Sequence, residues 1–148
     1  MSIWFENYGL NDIAALNSDN MASHVGIEVV ELGEGHLTGR MPVDHRTKQP
    51  YGLLHGGASV VLAETLGSIG AALTIDRARF LVVGQEINAN HLRGVRSGWV
   101  QGVARPIHRG SRSQVWGVDI SDETGRLVCV SRLTLAVIDR ASLKDKDA

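Results

Sequence analysis

The strongest constraint on this chain is the run Ala58-Ser-Val-Val-Leu-Ala-Glu-Thr-Leu-Gly-Ser-Ile-Gly-Ala-Ala-Leu73, which is apolar or small at nearly every position. A helix that is hydrophobic on all sides belongs in a protein interior. Within it stands one carboxylate, Glu64, with no basic residue within four positions on either side. No ion pair one helical turn away can neutralise it. Withdrawing an unpartnered carboxylate from water is destabilising by several kcal/mol, so such groups are uncommon and gather where chemistry needs them. Glu64 is therefore the leading catalytic candidate. The competing reading is a structural carboxylate satisfied from a distant part of the chain.

Two β-like runs precede the helix and four follow it. Residues 25–31 are β-rich, and the Gly33-Glu-Gly35 turn leads to Leu37, Gly39, Met41 and Val43 alternating with Thr38 and Arg40. That alternation is the mark of a half-buried strand. Residues 44–51, with Pro50, read as a loop. Beyond the helix lie strand-like runs at residues 81–92, 98–105, 113–120 and 126–138, with Asp122-Glu-Thr-Gly125 as a hairpin turn. Residues 11–23 carry Ile13, Leu16 and Met21 in a loosely helical pattern.

Strands without helical crossovers form an antiparallel sheet, and its apolar face has to be covered. The expected fold class is α+β, with five to six antiparallel strands curled around one long central helix. Gly67 and Gly70 weaken that helix by about 1 kcal/mol each relative to alanine. They are expected where another backbone approaches closely. The whole of residues 1–148 reads as one domain, with a helical lead-in over about 1–22 and a flexible tail over about 140–148.

A net charge of −1 and the absence of any long single-sign run argue against nucleic acid as a partner. The lone cysteine, Cys129, lies in an apolar stretch and reads as a buried structural thiol. Residues 1–16 contain acidic but no basic side chains, unlike a secretory signal. No apolar run is read as reaching the roughly 18 to 20 residues of a membrane span. A cytoplasmic protein without a membrane partner is expected.

His55-Gly56-Gly57 stands where the helix begins. Unpaired N–H groups at a helix start carry partial positive charge and suit an anion or a developing oxyanion. Taken alone, the tripeptide serves a plain turn equally well. Ser68 lies one turn after Glu64 and shares its face, although a small packing residue bonded back to a carbonyl would look the same. Gly56 and Glu64 are eight residues apart, about 12 Å along a helix. One reacting atom cannot lie about 3 Å from both, so joint action on one carbonyl requires two chains.

His91 and Arg93 end one predicted strand, and His108-Arg-Gly-Ser-Arg-Ser113 joins two others. Forked arginine donors beside glycine and hydroxyls suit phosphate, and a solvated polar turn has the same composition. No histidine pair has metal spacing. The serine-hydrolase elbow, the P-loop and the dinucleotide fingerprint are all absent.

Residues 41–65, with Gln49-Pro50, Leu53-Leu-His-Gly-Gly57 and Glu64-Thr65, closely resemble hotdog-fold acyl-CoA thioesterases. Within that family the pattern is nearest the 1,4-dihydroxy-2-naphthoyl-CoA group and looser for the 4-hydroxybenzoyl-CoA group. The similarity continues through residues 82–91 and Gly110-Ser-Arg112 to Gly125-Arg-Leu127. The resemblance implies hydrolysis of aromatic acyl-CoA thioesters to free acid and CoA, with no cofactor beyond the CoA of the substrate. Glu64 would attack the thioester or activate water. Gly56 would polarise the carbonyl with Gln49 beside it, His55 would lie next to the thioester, and Ser68 would hold the water or the carboxylate.

Gly84, His91-Leu92-Arg93-Gly94 and His108-Arg109-Gly110-Ser111-Arg112-Ser113 match CoA-contacting positions. The resemblance also implies sites between subunits and a homotetramer, a dimer of hotdog dimers. A proofreading thioesterase acting on carrier-protein thioesters, and a noncatalytic acyl-CoA binder, are the alternatives.

Overall fold

The structure, a computed structural model, describes residues 1–144. In chain order the elements are α1 (Leu10–Leu16), α2 (Met21–His24), β1 (Glu28–Leu32), β2 (Leu37–Pro42), α3 (Gly56–Leu73), β3 (Phe80–His91), β4 (Trp99–Arg109), β5 (Ser113–Asp122), β6 (Leu127–Asp139) and α4 (Ala141–Lys144). The six strands form one antiparallel sheet in the order β1-β2-β4-β5-β6-β3. Its concave face wraps α3, as the hotdog resemblance implies.

The alternation read from β5 holds in three dimensions. Trp116, Val118 and Ile120 are buried against the helix, while Asp119 faces outward. Cys129 is a buried free thiol, and burial pushes its pKa up. At the β5–β6 turn Gly125 takes a φ of 80° and donates its N–H to the Asp122 carbonyl. The Asp122 carboxylate accepts bonds from Thr124 and Arg126, which hold its pKa down at about 2. The helical lead-in splits into α1 and α2 because Asp19 adopts a φ of 55°, after which the Asn20 side chain caps α2.

Three expectations need correction. The helix is not buried all round: Ser59, Leu62, Ala63, Leu66, Gly67, Ile69, Gly70 and Leu73 form its covered face at helical spacing, and Ala71 is buried in the last turn. Val61, Glu64, Thr65, Ser68 and Ala72 form a half-buried stripe that the sheet of this chain covers only in part, with Glu64 resting against Gly84 of β3. The two glycines do not admit a backbone. A Cβ on Gly70 would lie 2.7 Å from a Trp116 ring carbon, and one on Gly67 would lie 2.7 Å from Leu133 Cδ2. Finally, α3 has 18 residues and a mean hydropathy of 1.3, enough by length and composition to cross a membrane. Scattered glycine, serine and threonine disguise that length in the sequence, and the helix lays its apolar face on the sheet instead.

The N-terminal segment closes one end of the roll. Phe5 N–H donates to the Leu73 carbonyl at 2.8 Å, and Trp4 stacks on Trp116 with ring centroids 6.4 Å apart. The expected tail begins with α4, where Arg140 bonds the carbonyls of Arg77 and Arg79. Residues 145–148 lie outside the described part.

Overpacking beside Trp116 should outweigh the helix-propensity gain at residue 70. Gly70→Ala should lower stability by up to about 2 kcal/mol, since strain of about 1–3 kcal/mol opposes a gain of about 1 kcal/mol. Urea unfolding at fixed protein concentration reads this directly. A more stable variant would show that the Trp116 ring yields.

Candidate active site

The loop before α3 is more ordered than its composition suggests. Lys48 and Leu54 bridge, and between them Pro50-Tyr51-Gly52 form a three-residue turn. Gly52 N–H donates to the Gln49 carbonyl at 2.9 Å, Gln49 N–H donates to the Leu53 carbonyl at 2.8 Å, and Gly52 has a φ of 79°. This is a type I turn closed by a left-handed residue, a position suited to glycine. The Gln49 side chain accepts the Tyr51 N–H.

Thr47, absent from the sequence candidates, anchors the loop. It is buried, its hydroxyl donates to the Pro42 carbonyl at 2.7 Å, and its own carbonyl accepts the His55 N–H at 2.8 Å. The signal was present as Asp44-x-x-Thr47. Asp44 N–H donates to the Thr47 hydroxyl while Thr47 N–H donates to the Asp44 carbonyl.

His55 is the N-cap of α3, and its Nδ1 accepts the Gly57 N–H at 2.8 Å. Both readings of His55-Gly-Gly57 therefore hold: the tripeptide is a helix start, and it presents amides. Among the described residues nothing accepts the Gly56 N–H. The His91 ring lies over Gly56, with Nε2 2.8 Å from where a Cβ would stand. Gly56, Gln49, Ser59, His91, Arg93 and Gly94 line a cleft of about 360 Å³, with Leu92 at its wall. Ser59, a buried residue facing this cleft, was also missed; a lone serine in an apolar helix gives no signal.

Glu64 sits half-buried in the middle of α3, with Ser68 one turn on. Burial raises the Glu64 pKa, and no basic side chain among the described residues offsets it. Its carboxylate lies against Gly84 of the same chain: a Cβ there would collide with Oε1 and lie 3.4 Å from Cδ. Gly84 was expected to contact CoA, so its contact with Glu64 is an additional finding.

The chain does not bring all the candidates together. The expected connection is shorter than the sequence suggested: His108 and Arg109 end β4, Ser113 begins β5, and only Gly110, Ser111 and Arg112 form the turn, which stands at the other end of α3. There Arg109 donates to the Ile3 carbonyl, and Gln114 bonds Thr74, the C-cap of the helix. An 18-residue helix is about 27 Å long, so this loop and the His55 cleft cannot meet within one chain. Gly110 N–H closes the loop onto the Ser113 carbonyl at 2.9 Å, and the Arg109 and Arg112 side chains are exposed. No group of three or more metal-ligating side chains converges among the described residues.

The family model for the thioesterase superfamily matches residues 51–129, more than half of the chain. The chain belongs to the thioesterase superfamily. It is a thioester hydrolase by that membership and by its relatives. It is 51% identical over 136 residues to a protein named 1,4-dihydroxy-2-naphthoyl-CoA hydrolase from Escherichia coli K12, covering 92% of this chain and 99% of that one. Over 136 residues it is 49% identical to the proofreading thioesterase EntH of Cronobacter turicensis, covering 92% and 98%. Among solved structures, a mutant of thioesterase PA1618 from Pseudomonas aeruginosa superposes with a TM-score of 0.91 at 46% identity, covering 93% and 99%.

The raised Glu64 pKa predicts how this thioesterase responds to pH. A carboxyl raised above its ordinary 4.5 favours the fold when protonated. That stability is complete below the unfolded value and lost as pH rises through the folded one. Glu64→Gln, always neutral, should therefore be more stable than the parent at neutral pH, with the advantage shrinking towards acid. Urea midpoints at neutral and at acid pH measure it; a pH-independent difference would contradict the desolvation account.

Proposed function

We propose that this thioesterase hydrolyses aromatic acyl-CoA esters, with 1,4-dihydroxy-2-naphthoyl-CoA as the leading substrate, at sites built between two chains in the cytoplasm. The observation that carries the reading is Glu64, a partly desolvated carboxylate with no hydrogen-bond or ion-pair partner among the described residues, on a face of α3 that its own sheet covers only in part, through Gly84 of β3. The name of the 51% identical Escherichia coli relative supports the substrate class.

The free edge of β3 supports the pairing. It is 12 residues long, while the opposite edge, β1, has only five. Long unpaired edges are ready templates for another strand. Two β3 strands paired antiparallel set the near end of one helix beside the far end of the other. The His55 cleft of one chain then approaches the His108–Ser113 segment of its partner, and the proposed site requires a strand register that also slides Glu64 towards the partner's helix start. Two such dimers complete a homotetramer.

Across that interface the Gly56 N–H and Gln49 polarise the thioester carbonyl, with His55 beside the thioester. Developing negative charge on the carbonyl oxygen meets a preorganised donor and the positive end of a helix. Glu64 from the other chain then takes a proton from water as the water oxygen bonds to the carbonyl carbon. Ser68 holds that water or the carboxylate. The tetrahedral intermediate expels CoA thiolate, which takes the proton, leaving the free acid. Alternatively the Glu64 oxygen attacks directly, thiolate leaves, and water opens the resulting anhydride. Under single turnover in oxygen-18 water, label in the Glu64 carboxylate identifies the covalent route. His91, Leu92, Arg93, Gly94 and the arginine-bearing loop hold the nucleotide end of the substrate.

Thiol release from 1,4-dihydroxy-2-naphthoyl-CoA, benzoyl-CoAs, phenylacetyl-CoA and straight-chain esters tests this. Aryl-selective turnover is expected. Glu64→Gln should reduce it by about 100- to 10,000-fold, the range for removing a general base. Ser68→Ala should lose about tenfold, the effect of one hydrogen bond. The rate should decline on the acid side through a Glu64 pKa above 4.5. Full activity in Glu64→Gln would remove Glu64 from the mechanism.

The resemblance of the Cronobacter relative supports a second reading, in which the acyl group arrives on a carrier protein. Faster release from carrier-loaded esters than from free CoA esters would select it. Tight binding of acyl-CoA without release would instead mean a noncatalytic binder.

A further inference from the structure

Strand β3 changes face in its middle. Val82 packs against the core and Gly84 faces the Glu64 carboxylate, yet the next inward side chains are Ile87 and Ala89. An unbroken strand would send residues 82, 84, 86 and 88 to one side. The pairing of β3 with β6 slips between Gly84 and Glu86: Gly84 faces Leu135, and Glu86 faces Thr134. Gln85 is the extra residue, a β-bulge, which bends the strand and re-aims the side chains after it.

Two consequences meet at Glu64. Without the bulge, Glu86 would continue on the face of Gly84 and bring a second carboxylate towards Glu64. Like charges so close raise each other's pKa strongly. With the bulge, Glu86 turns outward and accepts the Asn88 side-chain amide at 3.2 Å on each oxygen. Residue 84 itself lacks a side chain where the Glu64 Oε1 lies, so the carboxylate rests on bare strand backbone.

We propose that Gly84 and the bulge at Gln85 are a positioning device for Glu64. The missing side chain sets where the carboxylate rests, and the bulge keeps Glu86 away from it. Gly84 is thus a positioning residue acting through Glu64. This inference rests on the catalytic reading of Glu64 for its kinetic arm but not for its structural one.

The structural arm is the crystal structure of Gly84→Ala. The Glu64 carboxylate should leave its place on the strand. A carboxylate that stays where it is beside the added methyl overturns the proposal, whatever the enzyme's substrate. The kinetic arm uses the best substrate of the parent protein. A carboxylate misplaced by about 1 Å commonly costs about 100-fold in rate. Gly84→Ala should therefore lower kcat by about that factor with KM within about twofold, the pattern of a defect in the transition state rather than in binding.

Glu64→Asp should cost much less in the Gly84→Ala background than in the parent, because the shorter side chain makes room for the methyl. Independent multiplication of the two effects, or a rise in KM alone, assigns Gly84 to CoA contact only and overturns the proposal. If Gly84→Ala does not fold, the double variant carries the test. Recovery of the parent thermal transition supports the clash, and no recovery refutes it. Absence of turnover in the parent itself would refute the proposed function and leave the structural arm to decide the placement.

Discussion

Gly67 and Gly70 let α3 lie so near the sheet that Leu133 and Trp116 occupy the space two methyl groups would take. That close seat orients the helix about its axis. Once residues 59, 62, 63, 66, 67 and 70 face the sheet, the 3.6-residue repeat sends Glu64 and Ser68 to the remaining side. The position of the candidate nucleophile or base thus follows from packing contacts on the opposite face of its own helix. A buried polar chain holds the far end of that seat. The Trp116 indole donates to Gln114, the Gln114 amide donates to Thr74, and the Thr74 hydroxyl donates to the Ala71 carbonyl.

The near end is held differently. A short turn, a buried threonine and a histidine cap fix the direction in which the chain enters the helix, and they leave the first amide free. The same helix start that is a structural liability, with donors lacking partners, is what a thioester carbonyl requires as it gains negative charge. The stability of the loop and the chemistry of the site therefore draw on the same few backbone groups.

The strands and the helix were legible because alternation and an apolar run of helical length act locally, but not all their limits were: β1 begins only at Glu28, and β4 runs on to Arg109 rather than stopping at Arg105. Trp116, Val118 and Ile120 announced the inner face of β5 without any knowledge of their partners. Sheet order was not legible, because which strand lies beside β6 depends on contacts far apart in sequence. The same holds for the Gly84–Glu64 contact: twenty residues separate the pair, and the bulge that makes it possible adds one residue without any compositional mark. Glu64 and His55-Gly-Gly57 could be picked out because each breaks a local rule, a charge in an apolar helix and paired glycines at a helix start. Thr47 was marked only by the Asp44-x-x-Thr47 spacing of a turn, and its burial comes from the path of the loop. The separation of the His108 loop from the His55 cleft needed the length of α3 and its direction relative to β4.

The bond from Gly57 to His55 bears on which protons the site can move. A ring nitrogen that accepts an amide hydrogen has its lone pair committed, so Nδ1 carries no hydrogen and the neutral ring must keep its own on Nε2. In that tautomer His55 has a hydrogen to offer and no free lone pair with which to take one. It can donate towards a carbonyl oxygen or a departing sulfur, but it cannot deprotonate water without giving up the helix cap. In the proposed mechanism, the division of labour between an acceptor carboxylate in mid-helix and a donor imidazole at the helix start would rest on this one bond from a backbone amide to a side-chain nitrogen.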